Sequence, residues 1–233
     1  MKGKLYLIPS PLGEYDPSMV LPAPVLETIR GLECFVVEEL RTVRRFLSAA
    51  GLKGHIAELE FHVLNEHTTP GEVEAFASLF DRGDVGLVSE AGLPAVADPG
   101  SALVALCHRI GVEVVPLTGP SSLMLALMAS GLNGQSFAFR GYLPAKTDER
   151  RTAIKEMEHQ SKLLNQSQIF IETPYRSDTL LADFVQHLQP STQLCVAADL
   201  TLPTQYIRTR SIAQWRRDRT VIGRRPCVFI ILA

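Results

Sequence analysis

The segment from Gly86 to Gly100 constrains this chain more than any other. An apolar run, Val85 to Val88, passes into a loop of mostly small residues, Ser89 to Ala97. The loop closes on Asp98-Pro99-Gly100, which opens a helical run, Ser101 to Ile110. Small residues let a ligand approach the backbone closely. Free amides at a helix start behind a strand are where open α/β proteins hold adenosyl or phosphate groups. One strand–loop–helix unit of this kind needs neighbours, because a short apolar strand is stable only when both its faces are covered.

The neighbours are legible. Strand signals fall at Leu5–Ile8, Phe35–Glu38, Phe61–Leu64, Val85–Ser89 and Val112–Pro116. Helical signals lie between them: Val25–Arg30 behind Pro22 and Pro24, Thr42–Ala50, a run opened by Thr69-Pro70-Gly71-Glu72, and the run after Asp98-Pro99. Thr69 and Glu72 have the spacing of a capping box, with proline at the first helical position. Gly51, Gly83 and Gly111 punctuate helix ends. Alternation at this spacing predicts a parallel sheet with helices on both faces. Beyond Pro116 the pattern changes. Strand signals at Phe137–Gly141, Gln168–Glu172, Leu194–Ala198, Gln205–Arg210 and Cys227–Leu232 are interleaved with helical runs at Ser121–Ser130, Asp148–His159, Ser177–Leu188 and Ile212–Arg217. The last three strands share one short helix, so some pairing there is expected to be antiparallel. The fold class expected is α/β in two domains, 1–117 with a mainly parallel sheet and 118–233 with a mixed sheet.

Several function classes are disfavoured. The formal net charge is −2, so no global basic field draws nucleic acid, although local patches remain. No apolar run approaches the ~18 residues of a membrane span. The opening Met1-Lys2-Gly3-Lys4-Leu5-Tyr6-Leu7-Ile8 stops at Pro9 and reads as a first strand, not a secretory leader. Cys34, Cys107, Cys195 and Cys227 are far apart in apolar runs, which predicts four buried thiols and a reducing, cytoplasmic setting. The six histidines show no metal-ligand spacing, and no metal is expected. There is no GxGxxG after the first strand, no GxxxxGK[ST], no GxSxG and no HExxH.

Four segments following strands carry small or polar residues: Pro9-Ser10-Pro11-Leu12-Gly13, Ser89 to Gly100, Thr118-Gly119-Pro120-Ser121-Ser122 and Glu172-Thr173-Pro174-Tyr175-Arg176. Any one of them is an ordinary turn. Together, at the carboxyl ends of strands, they converge on one crevice.

Read in order, these segments resemble the tetrapyrrole methylase superfamily of S-adenosylmethionine-dependent methyltransferases. Within it the chain is most similar to the branch that 2′-O-methylates a cytidine of small-subunit ribosomal RNA. That branch carries a segment close to Ser-Asp-Ala-Gly-Thr-Pro-Gly-Ile-Ser-Asp-Pro-Gly; here it is Ser89-Glu90-Ala91-Gly92-Leu93-Pro94-Ala95-Val96-Ala97-Asp98-Pro99-Gly100. Its Pro-Gly-Pro-Ser-Ala matches Thr118 to Ser122, and its Ala-Ser-Gly-Leu matches Ala129 to Leu132. Its Phe-x-Gly-Phe-Leu-Pro matches Phe139 to Pro144, and its Glu-Ser-Pro-His-Arg matches Glu172 to Arg176. The matches are collinear over nearly the whole chain.

The resemblance implies a homodimer of two-domain chains, with S-adenosylmethionine held folded in a cleft between the domains. Carried over residue by residue, it assigns the cofactor to Pro9, Ser89, Ala91, Gly92, Val96, Asp98, Ser121, Ser122, Leu143 and Leu200. It assigns catalysis to Glu38, Glu39, Arg41 and Glu172, and substrate contact to Asn65, Glu66, Tyr175 and Arg176. The implied partner is RNA of the small ribosomal subunit. The alternatives are a tetrapyrrole or other small-molecule acceptor, or a non-catalytic chain that only binds the cofactor. Two segments depart from the branch. Its Glu-Asp-Thr-Arg is Glu38-Glu39-Leu40-Arg41 here, and its Arg-Glu-Leu-Thr-Lys is Ala198-Asp199-Leu200-Thr201-Leu202, without either basic residue. A cluster of arginines, Arg208, Arg210, Arg216, Arg217, Arg219, Arg224 and Arg225, surrounds Trp215. It is either a solvated face or a phosphate-contacting one.

Overall fold

Apolar strands with helices packed on either side build the first of two units. In the computed structural model, which describes residues 2–233, this unit is Met1–Ser121 and the second is Ser122–Ala233. Unit 1 runs β1 (Leu5–Ile8), α1 (Ala23–Arg30), β2 (Cys34–Val37), α2 (Leu40–Leu47), β3 (Glu60–Val63), α3 (Pro70–Ala75), β4 (Val85–Val88), α4 (Gly100–Ile110) and β5 (Val114–Pro116). The strand order is β3-β2-β4-β1-β5, and every neighbouring pair is parallel. Central β4 is buried along its whole length. Side chains alternate across the sheet. Leu5, Val36, Val85 and Leu87 pack with Phe80, Leu103 and Leu106 on one face, while Ile8, Phe35, Val37 and Val88 pack with Val25, Ile29 and Leu47 on the other. Burying each such side chain stabilises the fold by roughly 1.5–3 kcal/mol before chain entropy is counted.

The helix boundaries have local causes. Thr69 and Glu72 make the expected capping box at the start of α3. The helix expected at Thr42 begins earlier, at Leu40, because the Glu39 carboxylate accepts the Arg41 and Thr42 amides. It ends at Leu47, before the chain turns at Gly51 with φ 111°. The strand expected from Val112 begins at Val114. Gly111 ends α4 in the left-handed region, φ 73°, and the Val112 amide closes back onto Cys107 O at 2.9 Å.

Unit 2 runs α5 (Ser122–Ser130), β6 (Phe137–Phe139), α6 (Thr147–Leu164), β7 (Ser167–Glu172), α7 (Ser177–His187), β8 (Gln193–Ala198), β9 (Tyr206–Ser211), α8 (Ile212–Trp215) and β10 (Cys227–Leu232). Its strand order is β6-β7-β10-β8-β9. β6 is parallel to β7, β10 is antiparallel to both β7 and β8, and β9 is antiparallel to β8. The sheet is mixed, as the scarcity of helices in the last third of the chain predicts. One core holds Phe170, Phe184, Phe229, Trp215 and Ile154, with Phe184 set against both other phenylalanine rings. α6 runs past the expected His159 to Leu164, where Asn165 stops it at φ 46°.

Three of the four cysteines are buried as expected, and Cys34 is not: it is half-buried. It opens β2 directly opposite Glu60 of the edge strand β3, where the sheet has little cover.

Two substitutions test this packing. A Cβ on Gly119 would lie 2.2 Å from Pro9 Cβ and 2.6 Å from Pro9 Cγ, atoms of a ring that cannot rotate away. Gly119→Ala is expected to destabilise unit 1 by about 1–3 kcal/mol, read from the urea midpoint. Gly31→Ala, whose Cβ would lie 3.6 Å from Thr28 O and 3.8 Å from Glu27 O, serves as the control with little change. In unit 2 the buried Glu158 accepts from the Gln189 amide at 2.7 Å and from Thr192 Oγ1 at 2.5 Å. Glu158→Ala leaves both donors unmatched, for a loss of about 1–3 kcal/mol in the same measurement.

Candidate active site

A parallel sheet sends every strand out at the same edge, so the loops after β1, β2, β3, β4 and β5 share one end of unit 1. Beyond the strand ends the first and fourth loops are stitched together. Ser10 N donates to Gly92 O at 2.9 Å, and Gly92 N donates to Ser10 O at 3.1 Å. Ser10 Oγ donates to Ser89 O at 3.2 Å. Gly92 sits at φ 78°, and a Cβ there would lie 3.3 Å from Leu12 Cδ2 and 3.7 Å from Pro120 O. Together with the close approach of Gly119 to Pro9, this packs the loops after β1, β4 and β5 into one wall.

The loop from Ser89 to Gly100 is held in an unusual shape. Ala95 and Ala97 lie in the left-handed region, φ 64° and 62°, which residues other than glycine seldom adopt. Asp98 holds the bend: its Oδ1 accepts from Ala95 N at 2.9 Å and from Gly100 N at 2.7 Å. Burial pushes the Asp98 carboxyl above its usual range, partly offset by those two N–H groups, with nearby Glu38 adding to the rise. Asp98 Oδ2 and Ser89 Oγ are buried without a hydrogen-bond partner. Such atoms are rare in folded proteins and need an explanation.

The expected site residues of unit 1 therefore fall into two groups. Pro9, Ser89 and Gly92 are buried in the wall, Asp98 is half-buried, and Ala91 and Val96 are exposed on the same loop. Glu38, Glu39, Arg41, Asn65 and Glu66 follow β2 and β3 at the same edge. Glu38 Oε2 accepts from Glu90 N at 3.1 Å, which ties the loop after β2 to the loop after β4. Glu39 has a different task. Both its oxygens cap α2, at 3.1 Å to Arg41 N and 2.6 Å to Thr42 N, and the Thr42 amide above all holds its carboxyl below the usual range. Asn65 Oδ1 accepts from His67 N at 3.0 Å and shapes the turn after β3, while Glu66 is exposed beside His67.

Within unit 2, β6, β7 and β8 all run the same way, so Leu143, the Glu172–Arg176 segment and Leu200 leave the sheet at one edge. Leu143 and Leu200 are buried. Ser121 closes unit 1, and Ser122 opens α5. Glu172 is buried, with Oε1 accepting from Thr173 N at 2.7 Å and Thr173 Oγ1 at 3.1 Å. Arg176 Nη2 lies 2.9 Å from Glu172 Oε2, yet no donor is aligned on that oxygen, which stays without a hydrogen bond. Tyr175 is 73% exposed. The loop after β8 is bent at Asp199 and Thr201, φ 50° and 72°.

The fold also makes a cluster that sequence spacing does not reveal. Cys34, Glu60 and His62 offer ligand atoms all within 4.8 Å of one another. They come together because β2 and β3 pair in register. Glu60 Oε1 already accepts from Arg82 Nη2 at 2.8 Å and lies 2.8 Å from His62 Nε2. The group is thus internally paired, at the opposite edge of the sheet from the loops above.

Comparison with known proteins places these loops in context. The family profile of Tetrapyrrole (Corrin/Porphyrin) Methylases matches residues 5–215. A protein of Escherichia coli O157:H7 called Ribosomal RNA small subunit methyltransferase I is 32% identical over 201 residues, covering 86% of this chain and 66% of that protein. Its namesake in Pseudomonas aeruginosa is 29% identical over 233 residues, covering 98% of this chain and 78% of that one. The chain thus spans about two thirds of the E. coli relative's length. Among solved structures, the methyltransferase CobJ superposes with a TM-score of 0.65 at 18% identity, covering 98% of this chain and 93% of that one. Uroporphyrin-III C-methyltransferase from Thermus thermophilus, complexed with S-adenosyl homocysteine, superposes with a TM-score of 0.58 at 17% identity, covering 99% and 97%. At that identity the likeness is one of fold, and the profile carries the assignment: this chain belongs to the tetrapyrrole (corrin/porphyrin) methylase family.

Proposed function

We propose that this chain is an S-adenosylmethionine-dependent methyltransferase whose acceptor is RNA, a ribose 2′-hydroxyl of the small ribosomal subunit. The observation that carries the reading is the wall of unit 1, with its strained loop and two buried, unpartnered oxygens, Ser89 Oγ and Asp98 Oδ2. A ligand with hydroxyl and ammonium donors satisfies them, and S-adenosylmethionine has both. Ala91, Gly92 and Val96 leave room for its adenine and ribose against the backbone. The resemblance adds Ser121, Ser122, Leu143 and Leu200 to the residues proposed for the cofactor. The RNA acceptor is supported by the relatives, which are named for small-subunit ribosomal RNA and align over most of this chain, and the ribose 2′-hydroxyl is carried over from the resemblance of the motifs. The tetrapyrrole alternative draws on the family profile, which is named for corrin and porphyrin methylases, and on the CobJ and uroporphyrin likenesses, which extend to the fold alone.

When bound, S-adenosylmethionine supplies a methyl group on a sulfonium, a leaving group that needs no acid. The work left to this chain is alignment of the acceptor and removal of its proton. Glu38 is the carboxylate suited to the proton. One oxygen is fixed by Glu90 N, and the other is left to orient the hydroxyl and take its hydrogen as the O–C bond forms. Glu39 is assigned a positioning role through α2, and Arg41, in the first turn of α2, a phosphate contact. Glu172 and Arg176 bind substrate with Tyr175, whose ring suits base stacking, and Asn65 and Glu66 are assigned substrate contact from the loop after β3 of unit 1. Self-association is supported by α5, which is apolar around its whole circumference yet leaves Met128 79% exposed; a helix of that kind is ordinarily covered. No helix among the described residues is long and apolar enough to cross a membrane.

Transfer of labelled methyl groups is expected to small ribosomal subunits and not to large subunits, transfer RNA or a uroporphyrinogen-type acceptor. Failure of the protein to bind S-adenosylmethionine overturns the reading. Glu38→Gln is expected to lower kcat by roughly 10²-fold or more while the ligand-induced thermal shift persists. Glu39→Asp, which keeps a capping carboxylate, is expected to retain activity, whereas Glu39→Ala lowers both melting temperature and rate. Because the folded state lowers the Glu39 pKa, its stabilisation is present above the ordinary carboxylate range and is lost as pH falls through the folded value. Glu39→Gln should therefore show a shallower acid loss of stability than the parent.

A further inference from the structure

Residues 206–226 hold seven arginines and a single acidic residue, in a chain of net charge −2. The structure sorts these arginines by what they touch. Arg210 is paired with Asp218 and lies over the Trp215 ring. Arg216 donates from Nε to Val185 O and from Nη2 to Leu188 O, both at 3.1 Å. Arg225 donates to Ile222 O at 2.5 Å and lies over the Tyr206 ring, which Arg208 also approaches. Those four make side-chain contacts within unit 2, Arg208 through a ring alone. Arg217, Arg219 and Arg224 are exposed and make no ion pair or side-chain hydrogen bond among the described residues.

The path of the chain gives these three a direction. α8 follows the end of β9, beside the start of β8, and β10 begins beside the ends of β7 and β8. The connection between them therefore runs the length of the sheet, roughly 20 Å for six-residue strands. It runs antiparallel to α7. Arg216 meets the carboxyl end of that helix at Val185 and Leu188. Near its amino end, Asp178 Oδ1 accepts from Ile222 N at 2.7 Å and Asp178 Oδ2 from Gly223 N at 3.1 Å. A cleft of about 380 Å³ lies between, walled by Leu181, Ala182, Val185, Trp215 and Val221. Its two acids are already used: Asp178 pins the loop, and Asp218 accepts from Thr220 N and Oγ1 at 2.9 and 2.6 Å besides pairing with Arg210. The loop is held in place while its outward charge stays uncompensated.

We propose that residues 216–226 form a track for the RNA backbone, with Arg217, Arg219 and Arg224 contacting successive phosphates. The track leads to the edge of unit 2 that carries Tyr175 and Arg176. Guanidinium groups bind phosphate with two parallel N–H donors and remain charged at every physiological pH. Such contacts set register and affinity and leave sequence choice to other groups. The inference rests on the RNA reading above and extends it to residues of unit 2 that the candidate site does not include.

The test is the exposed triple variant Arg217→Gln, Arg219→Gln, Arg224→Gln, compared with the parent in binding small-subunit ribosomal RNA across a potassium chloride series. Loss of three phosphate contacts is expected to lower the slope of log K against log salt by roughly two to three. KM for small subunits should rise about tenfold or more, with kcat at saturating RNA and the thermal shift by S-adenosylmethionine unchanged. A variant with the parent's affinity and salt slope overturns the track and leaves the RNA reading intact. A parent that binds S-adenosylmethionine but neither binds nor methylates RNA overturns both. Salt-sensitive binding to anionic phosphatidylglycerol vesicles and not to RNA overturns the track in favour of a membrane surface. A variant that loses the thermal shift is replaced by the three single substitutions, each expected to lower the slope by roughly one; unchanged slopes in all three overturn the track.

Discussion

The backbone exchange between Ser10 and Gly92 is the interaction on which the candidate site depends. It is an antiparallel bridge just past the ends of β1 and β4, parallel strands that sit side by side at the middle of the sheet. Without it the loop from Ser89 to Gly100 has no fixed relation to the loop after β1. Gly92 makes the exchange possible, because its φ of 78° turns both amide and carbonyl toward Ser10. The loop after β5 then closes on the same wall at Gly119 and Pro9. Three short loops that would be mobile alone become one rigid surface, as a site that aligns two reactants requires.

The carboxylates show how fold and function divide similar groups. Glu39 and Asp178 use both oxygens to hold backbone amides, and each fixes a helix end or a loop. Asp98 and Glu172 commit one oxygen to the backbone and bury the other without an aligned donor. Glu38 lies between these cases, with one amide partner and a place on the loop after β2. Fully satisfied carboxylates shape the scaffold; those with capacity left are the ones a bound ligand can use. The arginines of the last third of the chain divide in the same way, between guanidiniums spent on carbonyls, rings and Asp218 and guanidiniums left facing solvent.

Much of this is legible in the sequence. β1 and β10 fall on the expected residues, the capping box at Thr69 forms, and the loops holding Ser89 to Gly100 and Glu172 to Arg176 leave strand ends as their composition implies. The boundaries of α2, β5 and α6 shift by a few residues, each for a local reason: a capping carboxylate, a left-handed glycine, a left-handed asparagine. The half-buried state of Cys34 was not legible, because burial depends on whether a strand start lies under a helix or beside an open edge. The Cys34–Glu60–His62 cluster was hidden for a related reason, since it comes from strand register across 26 positions of chain.

The sequence by itself determined the class of fold, the small-residue loop after β4, and a family resemblance strong enough to name an activity. These follow from local periodicity, turn chemistry and collinear motifs, all of which are written along the chain. Only the tertiary structure decided which charged groups are available. Glu39 and Glu38 are adjacent and alike in sequence, yet one is bound to a helix end and the other faces the neighbouring loop. Seven arginines read as one cluster, yet four are held by the fold and three are not. The reason is that a polar group's availability is set by what lies within hydrogen-bonding distance, and those partners come from elements far apart in sequence.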